Sequence, residues 1–122
     1  MKNALIVEDS AVMRQFIVSS LLIVPNIHAV EATNGFEALK ALPDRNFDII
    51  LTDINMPDIN GLELLSFLKN HPHYQQIPVV IITTERSATD RRRGLALGAD
   101  DYLTKPFEPQ ALQVIVRRLL KI

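Results

Sequence analysis

The residues of this chain whose types could do chemistry together are Glu8 and Asp9, Asp53, Thr83 and Thr84, and Lys105. Each stands where a short apolar run ends: Glu8-Asp9 after Ala4-Leu5-Ile6-Val7, Asp53 at the close of the run through Ile49-Ile50-Leu51, Thr83-Thr84 after Val79 to Ile82, and Lys105 after Tyr102-Leu103. Three carboxylates brought close repel, and each raises the proton affinity of its neighbours. A hard divalent cation relieves that repulsion. Mg²⁺ suits a site with few protein ligands, because it keeps waters and completes its shell with phosphate oxygens. Lys105 offers a point charge to a phosphoryl oxygen or to Asp53, and Thr83 offers a hydroxyl. A carboxylate, a cation, a lysine and a hydroxyl can together phosphorylate the carboxylate itself, giving an aspartyl phosphate. Such transfer asks mainly for positioning and charge neutralisation.

These residues are spread over nearly a hundred positions, so only a fold can gather them. Five β-branched runs read as buried strands: Ala4 to Val7, Ile27 to Ala32, Asp48 to Leu51, Val79 to Ile82, and Tyr102-Leu103. Helical segments alternate with them. Met13, Phe16, Ile17, Leu21 and Val24 form one stripe, and Leu112, Ile115, Val116, Leu119 and Leu120 another, with Gln113, Arg117, Arg118 and Lys121 facing away. Asn34…Glu37, Asn60…Glu63 and Ser87…Asp90 read as capping boxes. Gly98 falls where a left-handed C-cap is expected, Pro109 where a last helix begins, and Pro25 where the first one stops. Alternation of this kind predicts an α/β fold, a doubly wound parallel sheet with helices on both faces. In such sheets ligands bind beyond the carboxyl ends of the strands, where the polar residues stand.

The chain's 122 residues are one domain's worth, and a 48% hydrophobic fraction can fill a core. That composition excludes a disordered tail. No apolar run approaches the roughly 20 residues of a membrane helix, and Met1-Lys2-Asn3 does not open a signal peptide. Without cysteine there is no disulfide, thiolate metal site or cysteine nucleophile. A formal charge of -1 speaks against direct nucleic-acid binding. A cytoplasmic domain, with no membrane partner, is the expectation.

Four segments carry a resemblance: Ile6-Val7-Glu8-Asp9-Ser10, Leu51 through Gly61, Ile81-Ile82-Thr83-Thr84, and Tyr102-Leu103-Thr104-Lys105-Pro106-Phe107. In order and spacing they resemble the receiver domain of bacterial two-component response regulators, in its CheY-like form. The resemblance covers residues 1–122 and implies a five-stranded parallel sheet in the order 2-1-3-4-5 with five helices. It implies that Asp53 accepts the phosphoryl group and that Glu8, Asp9, Asp53 and the Asn55 carbonyl hold Mg²⁺. Thr83 and Lys105 would grip the phosphoryl group, Lys105-Pro106 would be a cis peptide, and Tyr102 would turn inward with Thr83 as a switch. Pro57 and Gly61 would shape the adjoining loop. Glu8 departs from the commoner Asp, which bears on whether it meets the cation directly or through water.

The resemblance also implies partners. A histidine kinase or histidine phosphotransfer protein would donate the group, and an output protein would read the fourth helix, fifth strand and fifth helix, where Leu95, Val114 and Arg117 could contribute. The domain would be a monomer or a phosphorylation-dependent dimer. It would assist its own phosphorylation and dephosphorylation without turning over an external substrate. Asn55 and Glu85 resemble the pair of regulators whose phosphorylation is short-lived.

Other readings compete. An aspartyl-phosphate-forming phosphatase usually carries its nucleophile in an Asp-x-Asp motif after the first strand, whereas Asp53-Ile54-Asn55 follows the third. A flavin carrier would want a Ser/Thr/Gly-rich first loop, where Glu8-Asp9 would repel phosphate. A receiver within a longer DNA-binding or enzymatic regulator is a third possibility. Arg91-Arg92-Arg93 reads as a solvated helix face, and His71-Pro72-His73 offers no third zinc ligand. Val18 and Leu22, outside the first stripe, could dock a phosphotransfer partner.

Overall fold

The computed structural model describes residues 1–84 and 88–122. Its elements alternate as expected: β1 (Lys2–Val7), α1 (Ala11–Leu21), β2 (Ile27–Ala32), α2 (Gly35–Ala41), β3 (Ile49–Thr52), α3 (Gly61–Lys69), β4 (Val79–Thr83), α4 (Ala88–Ala96), β5 (Asp101–Thr104) and α5 (Pro109–Leu120). A short 3-10 turn, Leu42–Asp44, follows α2. All strand pairs are parallel, in the order β2-β1-β3-β4-β5.

The strands are apolar along their length because both faces of the sheet are covered. Alternate residues enter two separate cores. Leu5, Val7, Ile50, Val79 and Ile81 meet Ala38 of α2 and Leu62, Leu65 and Leu68 of α3. Ala4, Ile6, Ile49, Leu51, Val80 and Ile82 meet Ile17 and Leu21 of α1 and Leu112, Val116 and Leu120 of α5. Full burial of each Val, Leu or Ile side chain among them contributes about 1.5–3 kcal/mol, so strand register is strongly specified.

Several local expectations need correction. Asn34 caps α2 by accepting from the Glu37 N–H, but Glu37 reaches back to the Thr33 N–H instead of completing the box. Asn60 and Glu63 do complete one on α3. The Ser87…Asp90 pair lies outside the described residues at Ser87. Helix α1 ends at Leu21, before Val24 and Pro25. Phe16 sits at the rim, 36% exposed, its ring 5.3 Å from that of Phe107. Val18, by contrast, packs against the core. Gln113 does not face away: its Nε2 donates to the Ser20 carbonyl at 3.1 Å and joins α5 to α1. Gly98 has φ 108, and the Gly98 and Ala99 N–H groups close α4 onto the Leu95 and Gly94 carbonyls. Among the described residues no helix is long and apolar enough to cross a membrane.

Candidate functional site

The register of the sheet places the polar residues. Val7 pairs with Thr52 and with Ala32, and Thr83 with Thr104. Val7 and Thr52 stop level, so Glu8 and Asp53 stand side by side. Thr52 pairs with Ile81 and Ile81 with Tyr102, so β4 and β5 run two residues further before Lys105, whose long side chain reaches the acids at the same edge. Two backbone bonds extend the ladder past the strands: the Asp53 N–H donates to the Val7 carbonyl at 3.1 Å, and the Lys105 N–H to the Thr83 carbonyl at 2.8 Å.

Lys105 is the centre of the cluster. Its Nζ donates to Glu8 Oε1 at 2.5 Å and to Asp53 Oδ2 at 3.1 Å. The three side chains are 7%, 2% and 10% exposed respectively. One ammonium therefore serves two buried carboxylates. Burial pushes the Glu8 carboxyl above its ordinary range, while the Lys105 hydrogen bond and the Ser10 N–H pull it down without restoring it. Glu8 Oε2 accepts from Ser10 at 3.0 Å, so both its oxygens are engaged.

Asp53 is held more firmly than its sequence context announces. Its Oδ1 accepts the Ile54 N–H at 2.7 Å, with the Asn55 N–H at 3.4 Å. Its backbone carbonyl accepts the buried Thr52 hydroxyl at 3.0 Å. Gly61 lies against that carbonyl so closely that a Cβ on it would stand 2.0 Å from the oxygen. The Gly61 N–H closes the loop by donating to the Ile54 carbonyl at 2.9 Å. Pro57 is exposed on this loop, and Lys105-Pro106 is a cis peptide.

Carboxylate oxygens of Glu8, Asp9 and Asp53 lie within 4.8 Å of one another. An all-oxygen, acid-rich donor set of this spacing fits a hard divalent cation, and Asp9, which is exposed, keeps one side open to water. Among the described residues this is the one group of three or more His, Cys, Asp or Glu side chains placed to hold a metal. His71 and His73 instead lie against Tyr74, tilted at 4.5 Å and edge-on at 6.5 Å between centroids.

Thr83 is fully buried at the end of β4. The Tyr102 ring is also inward, 4% exposed, in the core with Leu62 and Leu65. The Arg91 guanidinium stands 5.4 Å from its centroid. Leu95, Val114 and Arg117 are exposed, as are Arg92 and Arg93. Glu85 falls outside the described residues. Two contributors were given no role from the sequence: Thr52, which falls just past the strand expected over Asp48 to Leu51, and Arg14, whose Nη1 donates to the Glu8 carbonyl at 2.9 Å. The place of Arg14 on the second turn of α1, six residues after Glu8, was the available clue.

A match to the response regulator receiver domain family spans residues 4–117. The chain is 38% identical over 116 residues to a probable transcriptional regulator, ycf29, of Pyropia yezoensis; the match takes in 95% of this chain and 52% of that protein. The chain thus spans about half the length of that relative. It is 37% identical over 111 residues to the chemotaxis protein CheY1 of Helicobacter pylori, covering 89% of each. Among solved structures, the receiver domain of the sensor histidine kinase PA1611 of Pseudomonas aeruginosa, with a magnesium ion in its active-site cleft, superposes with a TM-score of 0.88 at 26% identity, over 99% of this chain and 98% of that one.

Proposed function

The chain belongs to the response regulator receiver domain family, and from that premise we propose that residues 1–122 form a signalling receiver that takes a phosphoryl group on Asp53. The observation that carries the reading is the approach of Lys105 to both Glu8 and Asp53, with Asp9 beside them, at the carboxyl edge of the sheet.

An Asp53 carboxylate oxygen attacks the phosphorus of a phosphohistidine on a histidine kinase or phosphotransfer protein. The new O–P bond forms as the donor's P–N bond breaks; the electron pair stays on the donor's ring, which is protonated on its other nitrogen and so leaves as neutral imidazole. Asp53 Oδ1 is held by the Ile54 N–H, while Oδ2 faces Lys105, so Oδ2 is the oxygen we assign to attack. Lys105 then turns its ammonium to a phosphoryl oxygen, and the Thr83 hydroxyl donates to another. Mg²⁺, held by Glu8, Asp9, Asp53 and the Asn55 carbonyl, would supply neutralisation of charge between the carboxylate and the incoming oxygens; the bound magnesium of the PA1611 receiver supports this assignment.

Movement of Thr83 and Lys105 towards the modified Asp53 biases Tyr102 and the surface of α4, β5 and α5, where a partner reads the state. The output lies on a separate protein or, as the length of the ycf29 relative suggests, on a further domain; this domain itself makes no nucleic-acid contact. It works in the cytoplasm, as a monomer or a phosphorylation-dependent dimer, and turns over no external substrate. Asn55 and Glu85 support quick self-dephosphorylation, and phosphate release lasting many hours would contradict it.

The test is incubation with acetyl phosphate and Mg²⁺ followed by intact mass. One phosphoryl group is expected, removable by hydroxylamine and absent from Asp53→Ala. An unchanged label on Asp53→Ala would overturn the assignment.

A further inference from the structure

We propose that Arg14 is a positioning residue for the cation site, acting through the peptide between Glu8 and Asp9, with Glu31 as its counter-charge; this rests on the cation reading above. Arg14 leaves the second turn of α1 with its side chain only 15% exposed. Its Nη1 donates to the Glu8 carbonyl and its Nε to Glu31 Oε1, each at 2.9 Å. The same Glu31 oxygen also accepts from Gln15 Nε2 at 3.2 Å. Arg14 therefore links the Glu8 carbonyl to an acid of β2.

That carbonyl belongs to the peptide that leads from Glu8 into Asp9. The Glu8 N–H is already fixed, donating to the Ala32 carbonyl of β2 at 3.0 Å. On the far side of Asp9, the Ser10 N–H donates to Glu8 Oε2, and the Ser10 hydroxyl accepts from the Met13 N–H at the start of α1. Asp9 is thus an exposed side chain between two anchored peptides. Because a peptide unit is planar, holding the Glu8 carbonyl sets the direction in which the Asp9 backbone leaves Glu8, and so where its carboxylate stands relative to Asp53.

A purely structural staple would make a different prediction, and the sign separates the two. Arg14 brings a positive charge up to an acid cluster. On Coulomb's law alone, removing it tightens cation binding. If its work is to hold the Glu8–Asp9 peptide, removing it weakens binding, as losing a partner behind the ligands commonly does, by about 10–100-fold.

The experiment is calorimetric titration of the full chain with MgCl₂ at fixed ionic strength, well below the melting temperature. Wild type, Arg14→Ala, Glu31→Gln and Asp9→Ala are compared, with Arg118→Ala as a control that breaks the exposed ion pair to Asp101. Arg14→Ala is expected to weaken Mg²⁺ binding by about tenfold or more. Glu31→Gln weakens it too, because Arg14 loses its second anchor and its charge is left uncompensated. Arg118→Ala leaves it unchanged. Equal or tighter binding by Arg14→Ala overturns the proposal. Should that variant not fold, Arg14→Lys keeps the charge and stem without the two-pronged grip; weaker binding again supports the proposal and equal binding defeats it. Loss of binding in Asp9→Ala locates the ion in the acid cluster. A wild type that binds no Mg²⁺, or an Asp9→Ala that binds like wild type, removes the cation reading and this inference with it.

Discussion

Lys105 and Glu8, separated by 97 positions in the chain, meet at 2.5 Å inside the protein, and the same ammonium reaches Asp53 at 3.1 Å. Two buried acids share one base. The resting site therefore carries an excess of negative charge, and its stability depends on which of the three groups is altered.

Removing the base should be costly. Breaking a buried pair by deleting one partner typically costs about 3–5 kcal/mol, because an uncompensated charge stays behind. Lys105→Ala is expected to melt well below wild type at neutral pH without divalent ions. Added Mg²⁺ should restore more of its melting temperature than it adds to wild type. Equal Mg²⁺ effects in calorimetric melts would contradict this account.

Removing one acid should have the opposite effect. The Glu8 carboxyl is raised by burial, so the folded state binds its proton more tightly than the unfolded chain does. That contribution is complete below the unfolded-state value of about 4.3 and is lost as pH rises through the folded-state value. At neutral pH ionised Glu8 thus opposes folding. Glu8→Gln should melt higher than wild type at pH 7, and the advantage should vanish on acidification below about pH 4. A constant difference across pH would sink the argument.

Gly61→Ala should be severe. Its Cβ would stand 2.0 Å from the Asp53 carbonyl oxygen and 2.8 Å from its carbon, both backbone atoms, so the loop bearing Asp53 must move. Overpacking of this kind costs typically 1–3 kcal/mol and sometimes more. Melting should drop, and acetyl phosphate labelling should slow in the folded fraction. Normal labelling with normal stability would refute the contact.

Gly94→Ala should do the reverse. Its Cβ would meet Leu62 and the Tyr102 ring at 3.7 Å, an ordinary packing distance, while the helix gains about 1 kcal/mol over glycine. A rise in melting temperature of a few degrees is expected. A fall would show that α4 needs glycine for another reason.

The sheet was legible because burial on both faces leaves no room for polar residues, so Ile49-Ile50-Leu51 and Val79 to Ile82 could be little else. The acids were legible because they interrupt such runs at their ends. What escaped was the work of residues whose types are common on surfaces. Gln113 reads as outward-facing, yet its side chain joins α5 to α1 by donating to the carbonyl of Ser20, a buried residue of α1. Thr52 has no role legible beside Asp53, though its hydroxyl donates to the Asp53 carbonyl. Arg14 belongs to no stripe, cap or motif of the sequence. In each case the partner is a backbone carbonyl, which leaves no trace in the spacing of side chains. Glu37 missed its box by one residue, because Thr33 presents the nearer N–H.

The level ending of Val7 and Thr52 in register makes strand length a ruler. One residue added within β3 would exchange the two cores and carry Asp53 off its mark at once. The connections at the opposite rim, such as residues 22–26 and 70–78, measure nothing of the kind. A tether, tag or grafted module belongs there, where chain can be lengthened while the chemistry at the other end keeps its place.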